Sequence, residues 1–164
     1  MRIITPWKDL TLEHTPGFSL RASSINKDGN MWSASGYLKL VRASGVYDLL
    51  ITAAFVTPWS FRLLQAALGD LHDQLGLAGT LPAFGPLQMM MANLMGSIVC
   101  VWAWLRIRHP QQRLGRYDAA GRVLFACWQG YALSQGATAL IWPILALEVL
   151  WAVAQLLPVR SARG

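Results

Sequence analysis

Apolar residues run along this chain in long blocks separated by short polar stretches. Leu87–Leu105 contains no charged residue, and the 37 residues from Val123 to Val159 contain one, Glu148. A membrane-crossing helix needs about 20 mostly apolar residues, and the blocks Leu87–Leu105, Ala119–Gly136 and Thr138–Leu157 meet that need. A fourth block, Ser44–Phe61, carries Asp48, Thr52, Thr57 and Pro58. It qualifies with Asp48 in its first turn near the headgroups and Pro58 in its last turn, where a proline is most easily absorbed.

Between the first two blocks the period changes. Leu64, Ala67, Leu68, Leu71 and Leu75 recur at helical spacing, with Gln65, Asp70, His72, Asp73 and Gln74 falling mostly elsewhere. This predicts a short amphipathic helix lying in the outer interface, a lid or a docking surface for the bundle end. Gly76, Gly79, Pro82, Gly85 and Pro86 follow as a turn-rich return. The expected fold is all-α: an integral membrane four-helix bundle with an interfacial amphipathic helix between spans one and two.

Around that single domain, 43–158, lie a partly disordered cytoplasmic N-terminal tail, 1–42, and a cytoplasmic C-terminal tail, 159–164. Met1–Asn30 lacks the apolar core of a signal peptide. Translation from Met31 is the alternative start.

Composition and charge sharpen this picture. The 164 residues are 54% hydrophobic and 13% charged, against about 25% charged in soluble domains. The net charge of +6 would suggest nucleic acid, but its distribution points elsewhere. With four spans, Arg62 is alone on the outer side among the 14 Lys+Arg, and the other 13 flank the opposite ends of the spans. That split follows the positive-inside rule. It predicts a multi-pass protein of a bacterial inner membrane with both termini cytoplasmic, and no nucleic-acid partner. Trp59 and Trp142 fall near the outer span ends, and Trp102 and Trp104 near an inner one, as an aromatic belt requires. Trp128 and Trp151 lie deeper and are expected to pack between helices.

Two groups of residues carry the candidate chemistry. Gly45-Val46-Tyr47-Asp48 and Gly115-Arg116-Tyr117-Asp118 share a Gly-x-Tyr-Asp pattern. They suggest two tandem helical hairpins, with Tyr47, Asp48, Tyr117, Asp118 and Arg122 at cytoplasmic helix starts. There the aspartates meet the helix macrodipole, and Asp118 faces Arg122 at i,i+4. The second group centres on Glu148, at the midpoint of the fourth block. With no Lys or Arg expected at that depth, the reading is a neutral, hydrogen-bonded carboxyl with a raised pKa. Gln129, Asn93, Ser97 and Gln155 are its candidate neighbours, forming either packing contacts or a proton or ligand site.

Other chemistry is not signalled. Cys100 and Cys127 are expected to be small buried hydrophobes. Asp70, His72 and Asp73 lack the further ligands of a metal site, so no metal, no cofactor and no catalytic residue are expected. The functional expectation is a non-catalytic accessory or assembly component of a membrane complex. Its partners would be the lipid bilayer and either a membrane protein or a second copy in a homo-oligomer. A proton-linked carrier or ligand-binding bundle using Glu148 is the alternative, and a membrane-embedded redox or quinone protein the third reading.

Overall fold

The computed structural model describes residues 32–159, and the expectations for the first thirty residues and for the C-terminal tail beyond Val159 lie outside them. The described residues form five α-helices. These are α1 (Ala34–Thr52), α2 (Pro58–Gln74), α3 (Pro86–Arg108), α4 (Gln112–Ser134) and α5 (Ile141–Leu156), with a 3₁₀ turn at Ala53–Phe55 after α1. The all-α expectation is met.

Helix ends follow local chemistry. Ser33 starts α1 by accepting the Gly36 N–H at 3.0 Å. Thr57 caps α2, with Pro58 at its first position, where the missing N–H costs nothing. Pro58 therefore begins a new helix rather than closing the first span. The chain turns by 96° between α1 with its 3₁₀ turn and α2, so the block Ser44–Phe61 is broken at residues 56–57. Pro110 follows the end of α3 and forbids its continuation. Gly136 ends α4 at φ +85°. Its N–H reaches Leu133 O, and the next N–H reaches Ala132 O, both at 3.1 Å, which satisfies the helix's last carbonyls.

Helices α1 and α3 pack closely as one pair and α4 and α5 as another, and α1 also lies against α4 and α5. Glycine sets two of these approaches. A Cβ on Gly96 would stand 2.5 Å from Phe55 Cβ, and one on Gly45 would stand 3.0 Å from Ala103 O. The start of α1, the end of α3, the start of α4 and the end of α5 share one end of the bundle. There Trp32 Nε1 donates to Ala154 O at 2.9 Å and the Tyr37 hydroxyl to Gln155 O at 2.8 Å. Arg116 donates to Leu157 O at 3.0 Å and Arg42 to Ile107 O at 3.2 Å. Side chains from helix starts thus serve the orphan carbonyls of helix ends.

The other end is closed by α2 and two loops. Thr80 N–H donates to Gly136 O, Thr138 N–H to Thr80 O and Ala139 N–H to Ala78 O, at 2.9–3.1 Å. His72 Nδ1 lies 2.9 Å from Thr138 Oγ1. On α2, Phe61, Leu64, Gln65, Leu68 and His72 are turned toward the protein, while Leu63, Ala67 and Leu71 are exposed. The inward stripe shares only Leu64 and Leu68 with the expected one. Phe61 packs with Phe55, Met89 and Ala92 into an apolar core at this end, and its ring meets Phe84 edge-on.

By length and composition, α3 is the one single helix among the described residues that is a candidate membrane span. The α1–α2 pair passes only as one unit bent by 96°, and α5 is apolar but has 16 residues. Helix α4 has 23 residues, about 35 Å, but Arg113, Arg116, Asp118 and Arg122 occupy its first half. The four expected spans thus reduce to one or two on this criterion.

Candidate functional site

Five charged side chains of this protein are turned inward. Arg106 is 0% exposed and Arg122 2%, and Asp48, Asp118 and Glu148 are buried with them. Burying an ion is costly unless it is paired and hydrogen-bonded. Here each has partners.

Arg122, in the body of α4, is the hub. Its Nε donates to Asp118 Oδ2 at 3.0 Å, one turn back on the same helix. Its Nη1 donates to Glu148 Oε2 on α5 at 2.8 Å, and its Nη2 straddles both oxygens of Asp48 on α1 at 2.7 and 2.8 Å. Tyr47 and Trp151 stack against the guanidinium, with ring centroids 5.8 and 5.7 Å from its carbon. Arg106, at the end of α3, pairs with Asp48 and Asp118 and donates to Ser44 Oγ at 2.9 Å. Trp102 Nε1 donates to Asp118 Oδ1 at 3.1 Å. Gln155 closes the cluster, giving its amide N–H groups to Ser44 Oγ and Asp118 Oδ2 at 2.8 Å each. Planar guanidinium groups suit this role, since each offers several donors in a fixed fork.

This corrects the expectation that no Lys or Arg lies at the depth of Glu148. The acid has a basic partner, so a carboxyl without one is not its setting. The reason is helix length. Helix α4 begins at Gln112, two turns before Ala119, so Arg122 lies about 15 Å along it. Glu148 lies about 12 Å from the end of α5. The two meet at one depth.

The same extension corrects the helix-start reading of the Gly-x-Tyr-Asp tetrads. Asp48 stands fourteen residues into α1, and Asp118 six residues into α4. Neither caps a helix; each accepts from both arginines. The tetrads diverge elsewhere. Tyr47 stacks on Arg122 and Trp151, whereas Tyr117 is exposed beside Arg113. Gly45 admits the backbone of α3, but Gly115 makes room for Val41 and Tyr37 of α1.

Of the proposed neighbours of Glu148, Gln155 belongs to the cluster. Asn93 and Ser97 serve another place. Asn93 Nδ2 donates to Phe55 O at 2.7 Å, at the break after α1, and Ser97 donates to Asn93 O within α3. They line a cleft of about 520 Å³ with Pro58, Arg62, Met89 and Leu94. Gln129 is half-buried on α4, and its Oε1 has no partner among the described residues. Cys100 is half-buried near Thr52, while Cys127 is exposed rather than buried, and neither is bridged. Trp151 packs between helices as expected, but Trp128 is exposed.

Arg106 is the residue that sequence reasoning missed. By position it belongs with the basic residues flanking the spans, yet it is sealed inside. The available signal was its position on α3 opposite Asp48, in the helix pair that the repeated tetrads suggested. No protein family matches this chain, and neither does any curated protein or solved structure.

Proposed function

We propose that this chain is a small polytopic protein of a bacterial inner membrane, serving as a non-catalytic accessory or assembly component of a membrane complex. One observation carries the membrane reading: the polarity of the bundle is inverted. Ile98 and Val101 on α3 are 70% and 71% exposed, and Leu124, Trp128, Leu150 and Val153 on α4 and α5 are also exposed. Five ionisable side chains are buried inside. An apolar exterior of this extent suits lipid, and helices satisfy their own backbone there. The basic residues gather at the end holding the α3–α4 loop, which supports a cytoplasmic placement of that end.

The accessory role is supported by how the polar interior is used. The arginines bond to carboxylates of neighbouring helices, which holds the bundle together and leaves the apolar exterior for lipid, a membrane-protein partner or a second copy. The test begins with carbonate extraction of membranes carrying the full chain, which should leave it in the pellet. Recovery in the supernatant would refute the membrane reading. Native mass spectrometry from nanodiscs then addresses assembly, and a lone monomer counts against it.

A second reading, a proton-linked carrier or ligand-binding bundle, draws on one feature. The cluster sets three carboxylates against two guanidiniums.

A further inference from the structure

We infer that the buried cluster is a proton-binding site, with the proton carried on Oε1 of Glu148. The inference deepens the second reading above and rests on the cluster being shielded from water.

Two observations carry it together. The first is charge. Asp48, Asp118 and Glu148 face Arg106 and Arg122, an excess of one negative charge among side chains that are all buried. The groups around Glu148 do not redress it. Helix α4 offers Arg122 and Asp118, α1 offers Asp48 and the Tyr47 phenol, and α3 offers Arg106. Helix α5 itself adds the neutral Trp151 and Gln155. An uncompensated charge in a water-poor interior is expensive enough that such a group takes up a proton instead.

The second observation selects the atom. Both oxygens of Asp48 accept hydrogen bonds from Arg122. Asp118 Oδ1 accepts from Trp102, and its Oδ2 from Arg122 and Gln155. Glu148 Oε2 accepts from Arg122. Among the six carboxylate oxygens, Glu148 Oε1 alone has no donor among the described residues. Unlike the unpartnered Gln129 Oε1 and Gln155 Oε1, Oε1 of Glu148 is not fully enclosed, so a proton can reach it. A proton on this oxygen displaces no existing hydrogen bond, whereas a proton on either aspartate would meet an N–H donor. Protonation at Oε1 leaves the Arg122 contact at Oε2 in place and brings the cluster to neutrality. The event is a simple association: one proton from solvent forms an O–H bond, and no other bond breaks.

Infrared difference spectroscopy on the full chain in phosphatidylcholine nanodiscs tests this, comparing spectra across a pH titration. The expected result is a carbonyl stretch of a protonated carboxylic acid, shifted by deuterium exchange and lost at high pH. The band should vanish in Glu148→Gln. It should also be lost or strongly reduced in Asp118→Asn at the pH where the wild type shows it, because two carboxylates then face two guanidiniums. A band undiminished in Glu148→Gln places the proton elsewhere and overturns the assignment. The wild-type titration needs no variant to fold. Absence of any pH-dependent carboxylic-acid band, in protein that still resists carbonate extraction, overturns the proton site while the membrane reading stands.

Discussion

Removing the Arg122 side chain is the sharpest test of what holds this bundle together. Arg122→Ala deletes four hydrogen bonds to three carboxylates on α1, α4 and α5. It also removes the cation stacked between Tyr47 and Trp151. Arg106 is then the one cation paired with Asp48 and Asp118, and Glu148 loses its cation. Taking one partner from a buried ion pair costs about 3–5 kcal/mol, since the remaining charge is stranded, and the lost stacking adds about 0.5–2 kcal/mol. Proton uptake by the stranded acids would offset part of this, so a net loss of about 3–5 kcal/mol is expected. Unfolding in mixed detergent micelles, followed by helical circular dichroism, measures it. Leu124→Ala is the control, because Leu124 is exposed on the same helix and its truncation should stay within about 0.5 kcal/mol. Glu148→Gln should also be mild, because the amide oxygen still accepts from Arg122. An Arg122→Ala variant as stable as Leu124→Ala would show that the cluster does not hold the helices together.

Three further perturbations probe separate parts of the structure. Gly96→Val forces a side chain into Phe55, whose Cβ would lie 2.5 Å from the new one; the α1–α3 contact should open at a cost of about 1–3 kcal/mol, read by the same unfolding assay. Trp102→Phe withdraws the only donor to Asp118 Oδ1 among the described residues and should cost about 1.5–3 kcal/mol, as expected for a hydrogen bond to a charged group. His72→Ala breaks the link from α2 to Thr138; amide exchange at Thr80, Thr138 and Ala139 should accelerate while the cluster end remains protected, and uniform acceleration would contradict a local clamp.

The helical class was legible because long apolar blocks and Gly/Pro punctuation are local signals. The sharp turn before α2 was partly legible, since Pro58 marks a break in the block, although a proline suits the start of a helix as well as the end of a span. Helix starts were the main loss. Gln112–Asp118 reads as a polar loop because Arg113, Arg116 and Asp118 depress its apolarity, yet it forms the first two turns of α4. That shift moved Arg122 from a headgroup position to the depth of Glu148. Pattern alone does not say which way a charged side chain faces, and a positive-inside count treats Arg106 and Arg122 like Arg108 and Arg113. Asp48 and Asp118 hold the same place in their tetrads, and both pair with Arg106 and Arg122. Their shared role depends on tertiary contacts with both arginines, which no spacing along one helix encodes.

The charges are shared between the two helix pairs. Within α1 and α3, Asp48 and Arg106 already balance, and within α4 and α5, Arg122 sits beside Asp118 and Glu148. The bonds nonetheless cross: Arg122 reaches over to Asp48, and Arg106 to Asp118. In the proposed membrane setting, apolar faces discriminate poorly between a neighbouring helix and lipid, so apolar packing alone gives little reason for the pairs to stay in one register. Reciprocal buried ion pairs supply that reason, because sliding or separating the pairs strands charges on both sides. The same argument explains why the odd carboxylate falls where it does. Asp48 and Asp118 are both needed for the exchange between pairs, whereas Glu148 contacts Arg122 through one oxygen only. It is the member of the cluster that can change its charge without breaking the crossing bonds.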